Sequence, residues 1–345
     1  YFGGNDGLLH GLDAETGIEK VAYIPQYLFS SASGEGLHYL ADPAYQHRYY
    51  VDLPPAVSDV YLDLGSGTAW RTVLLGGSRA GGAGLFMLDV TDPDVFSEEN
   101  AEDIVVWEFT HPNLGKTYSK PTIALMENGR WAAIVGNGYN ATGSGTSQLL
   151  ILFLDGFNDG IWTEGTDYIF IDTGANAGAS PNGMASPAVV DTDTPDLAGN
   201  GAADRVYAGD LEGNLWAFDL SSNNTGDWGS AYTTNAGRGG PSALPLFTTE
   251  RGTAAQSIRQ PITAKPAVAL HPDYPNGAND SPDLMVFFGT GKYLEQTDLS
   301  SQDLQSFYGI WDHGNSSIDR ADLQQQTISN SAITDDEGAL RDDLR

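Results

Sequence analysis

The chain of 345 residues contains no cysteine. That excludes a disulfide scaffold, a thiolate metal site and a cysteine nucleophile. Positive charge is also scarce, with 16 Lys and Arg against 46 Asp and Glu and a net charge of −30. Nucleic acid and anionic membranes are therefore poor partners, because both require clusters of phosphate-neutralising Lys and Arg. The plain consequence of such acidity is solubility, as in a salty habitat. No apolar run approaches the ~18 residues of a membrane-spanning helix. The six histidines are scattered, and none forms a close pair at ligand spacing.

What the chain does have is a strand unit that returns imperfectly. A proline followed by small or β-branched residues occurs at Pro55-Ala56-Val57, Pro121-Thr122-Ile123, Pro187-Ala188-Val189 and Pro266-Ala267-Val268, at spacings of 66, 66 and 79 residues. Each copy leads into an apolar run ending on glycine, at Gly76, Gly136, Gly209 and Gly289. A further run closes on aspartate, at Asp13, Asp89, Asp155 and Asp219. A tryptophan-bearing strand is expected around Trp107, Trp162 and Trp228, the indoles packing between neighbouring units. Such self-similarity is the signature of a repeat architecture.

The runs are short, rich in Val, Ile, Tyr, Phe and Trp, and bounded by Gly, Asn, Asp and Pro, which marks strands. Four short strands per unit match the blade of a β-propeller, which hides sheet edges by radial repetition. The period exceeds the ~40–50 residues of compact blades, so long loop insertions are expected at 31–52 and 221–257. The fold expected is an all-β β-propeller in one domain over 1–345. About five blades are visible, at 1–30, 53–110, 118–165, 185–230 and 262–315, an incomplete or modified seven-blade ring. Residues 320–345 read as a polar connection without a closing strand, as in a piece of a longer protein.

The closing aspartates recur in every unit and read as turn formers. Gly76–Gly84 opens a strand, so it offers no helix N-terminus for a phosphate. Gly289-Thr290-Gly291-Lys292 is followed by Tyr293 and is not a P-loop. The segment DYPNGANDSPD from Asp273 reads as an ordinary turn. The strongest candidate for chemistry is DTDTPDLAGNGAAD, from Asp191 to Asp204. Calcium takes six to eight hard oxygen ligands, which a loop supplies from alternate positions. Asn200 and Asp204 fit the end of a compact loop of this kind, with Ala202 giving a backbone carbonyl. Its start is open: Asp191 and Asp193 fit if 194–198 is an insertion, whereas Asp196 opens the loop if Ala198 leaves a position empty.

Five segments in order carry a family resemblance: NDGLLHGLDAETG from Asn5, DPAYQHRYYVD from Asp42, WRTVLLGGSRAGGAGLFMLDVTDP from Trp70, YSKPTIALMENGRWAAIVGNGYN from Tyr118 and DRVYAGDLEGNLWAFDL from Asp204. Together they resemble the C-terminal β-propeller of the PilC/PilY class of type IV pilus biogenesis factors, also described as pilus-tip adhesins. The resemblance runs to about Asp312 and weakens from Arg320. It implies a quinoprotein-dehydrogenase-like propeller without catalysis, working at the pilus tip, cell surface, outer membrane or periplasm of a Gram-negative bacterium. The implied partners are minor pilins and the pilus assembly machinery, with host or abiotic surfaces beyond them. It also implies a calcium loop that regulates pilus extension and retraction and hence twitching motility, mapping onto Asp191, Asp193, Asn200, Ala202 and Asp204. Residues 194–198 depart from the compact family loop.

Two other readings are carried alongside. One is a quinoprotein dehydrogenase using pyrroloquinoline quinone and calcium, although the sequence shows no distinctive cofactor motif. The other is an extracellular carbohydrate-binding propeller using Tyr45, Tyr49, Tyr50 and Tyr139.

Overall fold

The computed structural model describes the chain except for residues 177–180, 193–198, 235–240, 251–257, 274–281, 316–317, 327–329, 335–339 and 345, and describes backbone alone at 176, 330–334 and 340–344. The first sheet joins β1 (Phe2–Gly3), β2 (Leu9–Leu12) and β3 (Glu19–Tyr23). The second is the meander of β4 (Ala56–Asp63), β5 (Thr68–Gly77), β6 (Gly84–Asp89) and β7 (Val105–Thr110). The third contains β8 (Thr122–Met126), β9 (Trp131–Gly136), β10 (Thr146–Phe153) and β11 (Tyr168–Asn176). The fourth begins with β12 (Ala188–Val190); after the short β13 (Ala202–Ala203) it continues through β14 (Arg205–Gly209), β15 (Asn214–Asp219), β16 (Gly229–Ser230) and β17 (Phe247–Thr248). The fifth holds β18 (Ala267–Leu270), β19 (Leu284–Gly289) and β20 (Phe307–Asp312). A hairpin of β21 (Asn330–Thr334) and β22 (Leu340–Leu344) follows.

The local chemistry explains these boundaries. A proline before the first strand of a sheet costs no ladder bond there. Strand-closing aspartates bend the chain: Asp13 accepts the Thr16 amide at 2.8 Å and Asp219 the Ser221 amide at 3.0 Å, both short-range side-chain turns. The glycines that end second strands answer to a close approach. A Cβ on Gly136 would lie 2.2 Å from the Ala185 carbonyl, and one on Gly209 would lie 2.2 Å from Ile262. Ala185 and Ile262 lie on the segments leading into β12 and β18, so the glycine lets each blade receive the next.

Successive sheets pack face to face, and alternate residues of one strand serve different neighbours. Leu149, Ile151 and Phe153 of β10 join Val206, Ala208, Trp216 and Phe218 of the fourth sheet. Leu150 and Leu152 turn the other way, onto Leu75, Leu85 and Met87 of the second. Leu74, Phe86 and Leu88 face Leu9 of the first sheet, while Tyr207, Leu215 and Ala217 face Val286, Phe288 and Ile310 of the fifth. Two buried faces explain why β10 is apolar from Leu149 to Phe153, without the alternation of a half-exposed strand.

Several expectations need correction. The third unit runs past 165, because β11 occupies Tyr168–Asn176. Trp162 lies in the loop before that strand, and Trp228 only precedes β16; both indoles anchor connections, donating to the carbonyls of Glu108 and Ser222 at 2.9 and 2.7 Å. Residues 320–345 are not simply a polar connection, since β21 and β22 pair antiparallel from Asn330↔Leu344 to Thr334↔Leu340. Charged residues at Arg341, Asp342 and Asp343 conceal the strand pattern there.

The antiparallel order also distributes charge. Turns from first to second strand and from third to fourth share one end of the sheets, and they hold Asp63, Glu98, Glu99, Glu102, Glu127 and Asp191. The opposite end, where first strands begin, carries Arg79, Lys116, Lys120, Lys265 and Lys292. The net charge is therefore concentrated toward one end.

Candidate metal centre

The Asp191–Asp204 loop connects β12 to β14 at the acidic end. Asp204 is 2% exposed, and its carboxylate accepts the Thr192 amide at 2.9 and 3.0 Å and the Thr192 hydroxyl at 2.8 Å. Its own amide donates to the Val190 carbonyl at 3.2 Å. Asp204 thus closes the neck of the loop, with its charge met by charge-assisted hydrogen bonds. Asp191 Oδ2 accepts the Gly201 amide at 2.7 Å, and Asn200 Oδ1 accepts the Ala202 amide at 2.7 Å.

Glycine is required at 199. Its φ is +55°, and a Cβ there would stand 1.7 Å from Asp191 Oδ2. The bare backbone lets the returning strand lie directly against the carboxylate. Two features escape a reading of the sequence. β13 adds to the third sheet as a parallel strand, with Ala202 opposite Leu125 and Ala203 opposite Met126. Asn200 Nδ2 also donates to Glu127 Oε1 at 3.0 Å, so the loop is tied to the neighbouring blade. Two alanines carry no strand signal, and Glu127 lies 73 residues from Asn200.

Asp191, Asn200, Ala202 and Asp204 are therefore gathered on one closed loop, whereas Asp193 and Asp196 lie outside the described residues. Among the described residues no group of three or more His, Cys, Asp or Glu side chains could hold a metal. The donors on the loop are carboxylate, amide and carbonyl oxygens, the hard set that suits calcium, and in this chemistry they fit the ion.

The other sugar-binding or cofactor candidates fare differently. Tyr50 and Tyr139 are only 4% and 3% exposed and present no stacking face to a ligand, which removes half of the tyrosine set expected for carbohydrate. Tyr45 is half-buried against Tyr39, and Tyr49 is exposed beside His47. The Asp273 amide donates to His271 Nδ1 at 3.1 Å and Asp283 accepts the Trp311 indole at 3.1 Å, while 274–281 lie outside the described residues.

Antiparallel sheets stacked face to face, four of them entered by a proline-led strand, define a β-propeller. The chain belongs to the PilY1 β-propeller domain family, whose model matches residues 1–335. It is 41% identical over 342 residues to a type IV pilus biogenesis factor PilY1 homolog of Xylella fastidiosa, covering 96% of this chain and 20% of that protein. It is 36% identical over 359 residues to the type IV pilus biogenesis factor PilY1 of Pseudomonas aeruginosa, covering 96% of this chain and 28% of that protein. The crystal structure of the Pseudomonas aeruginosa PilY1 C-terminal domain matches with a TM-score of 0.69 at 33% identity, over 97% of this chain and 63% of that one. The chain thus spans less than a third of the two curated relatives' length.

Proposed function

We propose that this propeller is the calcium-responsive module of a type IV pilus biogenesis factor. It acts without catalysis at the pilus or cell surface of a Gram-negative bacterium, in concert with the pilus assembly machinery and minor pilins. The observation that carries the pilus role is the family match, which runs through nearly the whole chain. Support for calcium comes from the loop chemistry, with Asp191, Asn200, the Ala202 carbonyl and Asp204 as the holding groups. When bound, calcium supplies a double positive charge that relieves repulsion among the loop carboxylates. This chain's own residues do the rest. Thr192 fixes Asp204, Gly201 fixes Asp191, and β13 with Glu127 fastens the loop to the third sheet. Binding then shifts the protein toward its ordered-loop state by its differential affinity for the two states. Adhesion at the pilus tip and control of extension, retraction and twitching follow as consequences of that switch.

The test is complementation of a pilus-deficient strain with the full-length protein. Asp191→Asn is expected to permit expression while altering the calcium dependence of surface piliation and twitching. Complementation indistinguishable from wild type at every calcium level would contradict the switch. Failure to restore pili with the unaltered protein would contradict the pilus role.

A further inference from the structure

We propose that Lys120 and Lys265, with the Ser186 hydroxyl between them, form a binding site for an oxyanion group, the chemistry shared by a sugar-acid carboxylate and a phosphate. The three residues stand at the same step of three successive blades, each immediately before the proline that opens a first strand (Pro121, Pro187, Pro266). The Lys120 amide donates to Ser186 Oγ at 3.0 Å. That bond places the start of β8 beside the start of β12, which in turn neighbours β18, the strand that follows Lys265. The Ser186 oxygen accepts in this bond and keeps its own hydrogen to donate.

In a chain with 46 acidic and 16 basic residues, an unpaired lysine is unexpected. Arg79 pairs with Asp52 at 3.6 Å and Lys292 with Asp298 at 3.2 Å at this same end. Among the described residues, no carboxylate lies within 4.0 Å of the Lys120 or Lys265 ammonium. Lys265 instead feels another cation. Partial enclosure of its ammonium, and after that the Lys120 charge, push its pKa below the ordinary lysine value. Two lysines flanking a hydroxyl donor at one step of three successive blades, with no carboxylate in ion-pair reach, suit an anion bound by point charges. Acid is denser at the other end of the sheets, so an anion meets less repulsion here than there. This site is independent of the metal loop.

The experiment is isothermal titration of the intact protein with glucuronate and with inorganic phosphate, at low ionic strength. Saturable binding of at least one anion is expected, weakened tenfold or more in Lys120→Met and in Lys265→Met. It should be unchanged in Lys20→Met, whose ammonium pairs with Asp94 at 3.4 Å at the opposite end. Preference for glucuronate assigns the site to carboxylates, and preference for phosphate assigns it to phosphate groups. No saturable binding of either anion, or equal binding by all the variants, overturns the proposal. Melting of the ligand-free proteins guards against misfolding. Lys265→Met is expected to melt at or above wild type because it removes a like charge, and a fall of several degrees would assign the lysine to folding instead.

Discussion

Arg205 on β14 and Asp312 at the end of β20 meet across the boundary between the fourth and fifth sheets, 2.6 Å apart, with the Asp312 side chain fully buried. Tyr207 donates to the same carboxylate at 2.6 Å, and Tyr232 donates to its other oxygen. One carboxylate thus collects a guanidinium and two phenols from the neighbouring blade. The expected result of Asp312→Leu is a loss of about 3–5 kcal/mol, since it strands a buried guanidinium. Chemical denaturation reads this directly. Adding Arg205→Met should recover part of the loss, and a double variant no better than the single one would show that the pair is not coupled.

Trp107 locks the second and third sheets together. It is 2% exposed, donates its indole N–H to the Leu154 carbonyl at 3.0 Å and meets Trp162 edge-on at 5.5 Å. Trp107→Ala should cost about 3–5 kcal/mol. Trp107→Phe fills much of the space but leaves the Leu154 carbonyl without its donor, which costs about 1–3 kcal/mol. Equal stability of the two variants would show that the hydrogen bond contributes little.

His10 makes the first sheet sensitive to pH. Its two ring nitrogens face the accepting carboxylates of Glu19 (2.7 Å) and Asp6 (3.0 Å), both donating when the ring is protonated, and the ring stacks on Phe2 at 5.1 Å. The Glu19 hydrogen bond, opposed by burial and aided by Asp6, holds its pKa above the ordinary 6.5. A pKa raised by folding contributes stability below the unfolded value and loses it as pH rises through the folded one. His10→Gln should therefore destabilise more at pH 6 than at pH 8.5, by less than about 1 kcal/mol because the carboxylates are half exposed. Parallel pH profiles for variant and wild type would remove His10 from the balance.

The propeller was legible in the sequence because its physics repeats. The second, third and fourth sheets bury two faces, so strands such as Leu149–Phe153 become continuous apolar runs. Four of the sheets are entered through a proline, and the close approaches at Gly136 and Gly209 take a glycine. On the candidate metal loop, Asp191, Asn200 and Asp204 share a closed loop, while Asp193 and Asp196 fall outside the described residues. Tertiary additions left no local trace. Ala202-Ala203 becomes a strand only because the edge of β8 is there to receive it. β22 hides behind Arg341-Asp342-Asp343, where charge masks the alternation.

Calcium binding by the loop is tested most directly by thermal melting of the protein against calcium, with equal magnesium as control. Wild type should gain stability saturably with calcium, about 2.7 kcal/mol at a hundredfold excess over the dissociation constant. Asp191→Asn should lose most of that gain while melting near wild type in chelator. A wild-type melting point indifferent to calcium, or an equal rise in the variant, would contradict the account.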